Sequence, residues 1–232
     1  MPLHAIASQR LYQQVADQLG ALIRNGEYLP GARLPPERDL ARQLGVSRPV
    51  VREAMVALEL AGLVEVRTGS GTYVQERGKA RPPGDSGPGP FELLGARRLI
   101  EGEIAALAAR EAAADALDAV RDAVGRLERG IAAGADSRAD DRLFHARIAA
   151  ATGNGVLTAI VEDLWDGMFQ PLFEALSHHA GLPEHDRMTL ADHRAILDRL
   201  EARDPSGARA AMHAHLDHVA AILARADDIA EV

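Results

Sequence analysis

A segment rich in proline and glycine divides this chain into two parts. Residues 78–90 read GKARPPGDSGPGP, with four Pro and four Gly in thirteen positions and almost no apolar side chain to bury. Because Pro and Gly at this density interrupt helices and strands, we predict that the segment is a linker. The 232 residues are therefore expected to form two domains, at 9–77 and 91–228.

The two parts differ in charge. Residues 1–77 carry nine Arg against eight Asp or Glu, whereas residues 91–232 carry fifteen Arg against twenty-five acidic residues. The net charge of −8 for the whole chain disfavours nucleic-acid binding, but the first part alone is close to neutral. This asymmetry indicates two domains with separate roles.

Composition excludes several classes of protein. Hydrophobic residues make up 47% of the chain and aromatic residues only 3%, which favours packed helices over a β-sandwich or barrel. The absence of Cys excludes disulfides and zinc fingers, so any metal ion must be held by His and carboxylate ligands. No apolar run reaches the ~18 residues of a membrane span, and the N-terminus lacks the pattern of a signal peptide. We expect a cytoplasmic protein without a membrane partner.

The first part has the pattern of a winged helix-turn-helix. Apolar residues from Leu11 to Ile23 recur at helical spacing, and a second helix is predicted from about Pro36 to Leu44. Gly45 then provides a tight turn, and Ser47 is a suitable N-cap for a third helix. Two short strands, LVEVR and TYV, follow and are joined by TGSG. Three helices followed by a β-hairpin wing are therefore predicted.

Two arginines in the third helix are candidates for DNA contacts. Arg48 and Arg52 lie one turn apart, opposite Val51 and Leu58, so both are expected to point outward, where a guanidinium can read a guanine. Further DNA contacts are predicted at the start of the two helices and at the hairpin tip, namely Arg38, Ser47, Thr68, Gly69 and Ser70. The alternative is a protein-interaction module with solvated arginines. Because a nearly neutral domain binds DNA weakly, a homodimer is expected.

The second part is predicted to be an all-α antiparallel bundle. Gly, Asn, Asp and Pro breaks separate six predicted helices, at 91–112, 115–133, 136–151, 156–177, 184–203 and 206–226. The whole chain is therefore assigned to the mainly α fold class.

Four polar side chains fall on the apolar faces of three of these helices. They are Asp141 and His145 in the third helix, His193 in the fifth and His215 in the last. A buried polar group without a partner costs about 1–3 kcal/mol, and one divalent cation would satisfy all four. Zinc is the first choice, with nickel, manganese or iron as alternatives. The competing interpretation is ordinary core histidines with backbone partners. The other histidines are predicted on the surface or in loops, namely His4, His178, His179, His185, His213 and His218.

Residues 34–74, LPPERDLARQLGVSRPVVREAMVALELAGLVEVRTGSGTYV, resemble the DNA-binding domain of the GntR superfamily of bacterial transcription regulators. The resemblance implies groove contacts by Arg38, Arg48 and Arg52 and a wing-tip contact by Gly69. It also implies a homodimer that binds a short palindromic operator in double-stranded DNA.

The second part resembles the FCD ligand-binding domain of the FadR-type branch of that superfamily. The similar segments are FELLGARRLIEGEIAALAARE, DDRLFHARIAAATGN, DHRAILDRLEARD and HAHLDHV. The resemblance implies that Asp141, His145, His193 and His215 bind a metal ion. It further implies that Arg98 of RLIE helps to bind an effector carboxylate, with Arg97 taking this role if the helical register differs. Asn154 either lines the pocket or caps the next helix, and capping is favoured.

These observations predict a metabolite-responsive transcription repressor rather than an enzyme. The resemblance to hexuronate-type regulators favours a sugar acid as the small carboxylate effector, with lactate, pyruvate and dicarboxylates left open. Two alternatives remain: a metal-dependent enzyme built on the bundle, and a metal-free regulator that responds to acyl ligands. Against the enzyme, no further carboxylate or His on the same helix faces could serve as a general base.

Overall fold

A computed structural model of the chain describes residues 9–67, 69–76 and 87–224. Most of the predicted linker, residues 78–86, lies outside these ranges. The described residues divide into two compact units. The first unit consists of the described residues up to Phe91 and of Gln170–Leu176. The second unit consists of Glu92–Phe169 and of the described residues from Ser177 onward.

The first unit contains a winged helix-turn-helix. Its elements are α1 (Leu11–Arg24), α2 (Glu37–Leu44), α3 (Arg48–Leu60), β1 (Val64–Arg67) and β2 (Gly71–Val74). The turn between α2 and α3 depends on Gly45, whose φ of 68° lies in the left-handed region that glycine adopts without a steric penalty. The two strands pair antiparallel, with Val64 opposite Val74 and Arg67 opposite Gly71. The hairpin therefore turns between Arg67 and Gly71, at the tip of the wing.

Helices make up the rest of the described chain. They are α4 (Pro90–Glu111), α5 (Ala114–Ala132), α6 (Arg138–Ala150), α7 (Gly155–Met168), α8 (Pro171–His179), a 3₁₀ turn (Leu182–His185), α9 (Asp186–Glu201) and α10 (Pro205–Ala224). Along α4 the alanines Ala105, Ala108 and Ala109 are fully buried, which allows neighbouring helices to approach closely. The mainly α class, with a winged helix-turn-helix followed by a helical domain, is confirmed.

One predicted helix is wrong. The sequence pattern predicts a single helix over 156–177, whereas the structure ends α7 at Met168 and begins α8 at Pro171. Proline has no amide hydrogen for an intrahelical bond, and its ring disfavours helical geometry in the residue before it. Pro171 is therefore tolerated at the start of a new helix but not inside a continuous one.

Candidate metal centre and nucleic-acid interface

Four side chains from three helices meet inside the second unit. Asp141 and His145 come from α6, His193 from α9 and His215 from α10, and one potential ligand atom from each lies within 4.8 Å of the others. We call this group the Asp–His cluster. Each of its three histidines is only 1% exposed, whereas Asp141 is partly accessible. The packing of α6, α9 and α10 therefore brings together the polar residues that helical spacing placed on separate inward faces.

The nitrogens of two of these histidines approach the same carboxylate oxygen. His193 Nε2 lies 2.8 Å from Asp141 Oδ1, and His145 Nε2 lies 3.3 Å from it. The His193 and His215 ring centroids are 4.4 Å apart, and those of His145 and His215 are 5.3 Å apart. Three imidazoles in contact around one carboxylate form a compact donor set of nitrogen and oxygen, which suits a divalent transition metal.

The hydrogen bonding of the cluster also fits a cation. His145 Nε2, His193 Nδ1 and His215 Nδ1 are buried and have no hydrogen-bond partner among the described residues. Ligand atoms bound at about 2.0–2.2 Å to one ion are about 3.3–3.6 Å apart at tetrahedral angles and up to about 4.4 Å apart when they are opposite, so the widest pairs of donors would close by up to about 1 Å to reach a common ion. A cation beside Asp141 would remove the cost of leaving His145 Nε2 buried and unpaired, whereas His193 faces Asp141 with Nε2 and the Nδ1 of His215 lies 3.7 Å from Asp192.

Charges inside the cluster influence one another strongly. Burial would raise the pKa of Asp141, but His193 and His145, through charge and hydrogen bonding together, outweigh burial and hold it well below its usual range. Burial and the charge of His193 lower the pKa of His215 to about 3, so His215 is neutral near pH 7, as a metal ligand must be. Burial would lower the pKa of His145, but the carboxylates of Glu101 and Asp141 together outweigh burial and raise it. The neighbouring carboxylates therefore favour the protonated form of His145 when no metal ion is bound.

Sequence reasoning missed two carboxylates around the cluster. Glu101 of α4 is buried and hydrogen-bonded to His145 Nδ1, and Asp192 of α9 has an oxygen 3.7 Å from His215 Nδ1. Burial would raise the pKa of Glu101, but the charges of Arg97 and His145 lower it to about 2. The available signal for Glu101 was its spacing of four residues from Arg97 in a helix rich in alanine.

The two arginines predicted as effector contacts lie in different environments. Arg98 is partly exposed and donates to both oxygens of Asp217, at 2.7 and 3.1 Å. Arg97 is the buried one, 1% exposed, with its Nε 2.6 Å from Glu101 Oε1 and its guanidinium 4.1 Å from the centre of the Trp165 ring. Neighbouring helix positions differ by about 100°, so a shift of one residue exchanges an interior side chain for a surface one.

Asn154 caps a helix. Its side-chain oxygen accepts hydrogen bonds from the amides of Val156 and Leu157, at 3.0 and 3.4 Å, at the start of α7. The residue is exposed, which agrees with the capping role that was favoured over lining a pocket. Of the remaining histidines, His4 lies outside the described residues, and none of the others is buried: His178, His179, His185, His213 and His218.

In the first unit, several of the predicted DNA contacts lie on accessible surface. Arg48 begins α3 and is exposed, and the side chain of Arg38 near the start of α2 is 63% exposed. Ser47 is the exposed N-cap residue of α3, although its hydroxyl makes no capping hydrogen bond. At the wing tip Gly69 and Ser70 are exposed, and Gly69 has a φ of 72°. Thr68 lies outside the described residues.

Arg52 does not point outward as predicted. It is 5% exposed, with its Nε 3.1 Å and its Nη2 2.8 Å from the two carboxylate oxygens of Glu37 in α2. The helical wheel of α3 places Arg52 on the same side as Arg48, but the first turn of α2 covers that position. A contact from Arg52 to DNA would therefore require it to leave this bidentate ion pair.

This buried ion pair gives a first testable prediction. Glu37→Gln leaves the Arg52 charge buried without its carboxylate, and we expect it to destabilise the first unit by about 3–5 kcal/mol. Hydrogen exchange of α3 amides in the full chain, followed by mass spectrometry, should accelerate at least about 100-fold. As a control on the same helix, Asp39→Asn breaks the exposed pair with Arg42 and should cost less than about 1 kcal/mol. The double change Glu37→Gln with Arg52→Met should restore the protection of the α3 amides from exchange. Unchanged exchange in Glu37→Gln would contradict the conclusion that Arg52 is a buried cation that depends on Glu37.

Comparison with known proteins gives consistent matches to both units. Residues 11–74 match the family described as bacterial regulatory proteins, gntR family, and residues 92–218 match the FCD domain. The Uxu operon transcriptional regulator of Escherichia coli (strain K12) is 39% identical over 224 residues, covering 93% of this chain and 87% of that protein. The Exu regulon transcriptional regulator of the same strain is 39% identical over 222 residues, covering 93% and 85%. The solved structure of E. coli McbR/YncC has a TM-score of 0.52 at 26% identity and covers 94% of this chain and 98% of that one.

None of the described helices combines the length and the apolar character that crossing a membrane requires. The first match spans the winged helix-turn-helix, and the second spans most of the helical domain, including the four residues of the Asp–His cluster. The chain therefore belongs to the gntR family of bacterial regulatory proteins and carries an FCD domain, so it is a DNA-binding transcription regulator and not an enzyme.

Proposed function

We propose that this regulator is a homodimeric repressor that binds a palindromic operator and changes its affinity for DNA when a small carboxylate binds the FCD domain. Arg38, Ser47 and Arg48 would contact the major groove and its phosphates, and the wing tip from Thr68 to Ser70 would approach the minor groove. A dimer doubles these contacts, which the nearly neutral first part needs in order to bind DNA tightly.

The observation that carries the sensing role is the convergence of Asp141, His145, His193 and His215 in a buried site. Three buried imidazoles beside a partly accessible carboxylate, with His145 Nε2 left without a hydrogen bond among the described residues, are costly unless they serve a ligand. These residues would hold a divalent ion, zinc as the first choice, and the ion would supply an electrophilic contact for a carboxylate oxygen. The domain borders that we propose remain 9–77 and 91–228, joined by a linker at 78–90.

The effector class follows from the charges near the cluster. Arg97 is buried but paired with Glu101, which also contacts His145, so the ion itself would be the positive group that meets the effector carboxylate, and Arg97 would contribute only by leaving its ion pair. The names of two relatives refer to the Uxu operon and the Exu regulon. Together with the resemblance to hexuronate-type regulators, these names favour a sugar acid, a uronate or an aldonate. Such an effector must bind the DNA-bound and DNA-free arrangements of the protein with different affinities, because equal affinities would leave the equilibrium between them unchanged.

The test uses the purified full chain loaded with metal. An operator is first selected from random duplex DNA, and a palindromic consensus is expected for a symmetric dimer. D-Glucuronate, D-galacturonate and D-gluconate are then compared with glucose and galactose, with lactate, pyruvate and succinate as further arms. A matching acid at about 100 times its Kd should add about 2.7 kcal/mol of stability and change operator affinity, whereas the neutral sugars should do neither.

The outcomes separate this proposal from its alternatives. An effector response that survives complete chelation of metal would favour a metal-free regulator. A consensus without dyad symmetry would contradict the homodimer. If none of the carboxylates changes either the stability or the operator affinity, the sensing role of the cluster is overturned.

A further inference from the structure

We propose that Glu101 is a positioning residue that orients His145 so that its Nε2 faces the metal ion. This inference rests on the metal site proposed above and assigns a role to a residue outside the Asp–His cluster. Glu101 lies on α4 and His145 on α6, so the contact joins two helices that the four donors alone do not connect.

Three atoms surround the Glu101 carboxylate, and both of its oxygens are used. Arg97 donates from Nε to Oε1 at 2.6 Å and from Nη2 to Oε2 at 3.4 Å. His145 Nδ1 is hydrogen-bonded to Oε2. Because Glu101 and Arg97 are 2% and 1% exposed, water does not compete for these bonds.

This arrangement determines which nitrogen of His145 can bind a cation. A guanidinium only donates hydrogen bonds, so Glu101 beside it is a carboxylate that only accepts, and His145 Nδ1 must carry the donated proton. A neutral ring then has its lone pair on Nε2, the atom that lies 3.3 Å from Asp141 Oδ1 without a hydrogen-bond partner among the described residues. A lone pair directed at a carboxylate oxygen is repulsive unless a proton or a metal ion lies between them, and the two compete for the same Nε2. Outer partners of this kind hold metal-binding histidines in a single orientation.

The experiment compares two glutamates of α4. Glu101→Gln keeps the shape but removes the charge that holds Nδ1–H, whereas the control Glu103→Gln breaks an exposed pair with Arg209. Zn²⁺ and Co²⁺ alone are titrated into the metal-free full chain. The readouts are the Co²⁺ absorption spectrum and the fluorescence of the only tryptophan, Trp165, whose ring centre is 5.2 Å from that of His145.

We expect Glu101→Gln to weaken metal binding about 10- to 100-fold and to alter the Co²⁺ spectrum, with partial rescue by Glu101→Asp. Glu103→Gln should bind both ions like the unaltered chain. If Glu101→Gln folds and binds Co²⁺ with unchanged affinity and spectrum, the inference is overturned while the metal site stands. If the unaltered chain binds neither ion, the metal site itself fails.

A second variant covers the case in which Glu101→Gln does not fold. Removing only the carboxylate leaves the Arg97 charge buried and unpaired, which destabilises the interior. The double change Arg97→Met with Glu101→Gln removes both charges and should fold, as judged by circular dichroism. It should show the same weakened metal binding, and binding equal to that of the unaltered chain would overturn the inference.

Discussion

Replacing His193 by alanine is expected to remove the metal ion from the purified protein. His193 is 1% exposed, and its Nε2 lies 2.8 Å from Asp141 Oδ1, at the centre of the Asp–His cluster. Its loss removes one of four donors and leaves the ion partly uncoordinated in a buried site. Removing a residue that only hydrogen-bonds a metal ligand weakens metal binding about 10- to 100-fold. The loss of metal affinity in His193→Ala should be larger than that. Elemental analysis and Co²⁺ titration measure this change.

His218→Ala is the matched control for this prediction. His218 is on α10 near the cluster, but its side chain is 50% exposed and its Nδ1 contacts Asp192 at 2.9 Å. It is not among the four donors, so metal content should remain unchanged. Equal losses in the two variants would show that the cluster is not the metal site. A loss in His193→Ala alone, with a native circular dichroism spectrum, would support it.

Replacing Arg48 by alanine is expected to abolish specific operator binding. Arg48 is exposed in the first turn of α3, the part of a recognition helix that reaches base edges. A bidentate contact to guanine contributes about 1–3 kcal/mol of discrimination, and a dimer makes it twice. The expected loss is thus about 2–6 kcal/mol, or about 30-fold to 10⁴-fold, while binding to unrelated DNA changes little. Fluorescence anisotropy at fixed salt concentration measures both affinities.

Arg110→Ala controls for the change in net charge, since Arg110 is an exposed arginine at the end of α4 in the other unit. It should leave specific and non-specific binding intact. If Arg48→Ala lowers the affinity for every sequence equally and reduces the salt dependence by about one ion, Arg48 contacts a phosphate and not a base. Full retention of specific affinity would remove Arg48 from the interface.

Much of the fold was predictable because local patterns determine it. Gly45 at a left-handed turn, the apolar faces of α1 to α3 and the small residues at the hairpin tip define the winged domain without knowledge of distant contacts. The inward positions of His145, His193 and His215 were likewise predictable, since a polar residue within an apolar arc must be buried with it. The break between α7 and α8 was also present in the sequence, at Pro171, and was missed.

The sequence by itself therefore determined the two-part organisation, the helix-turn-helix and the side of each helix on which the four donors lie. Only the tertiary structure decided that Arg97 and not Arg98 is interior, that Arg52 pairs with Glu37, and that Glu101 supports His145. Helical spacing specifies the angle of a side chain about its own axis. Whether another segment covers that side of the helix depends on how distant parts of the chain pack. Arg52 and Glu37 are 15 positions apart and His145 and Glu101 are 44 apart, so each pair forms its hydrogen bond only when the helices pack together.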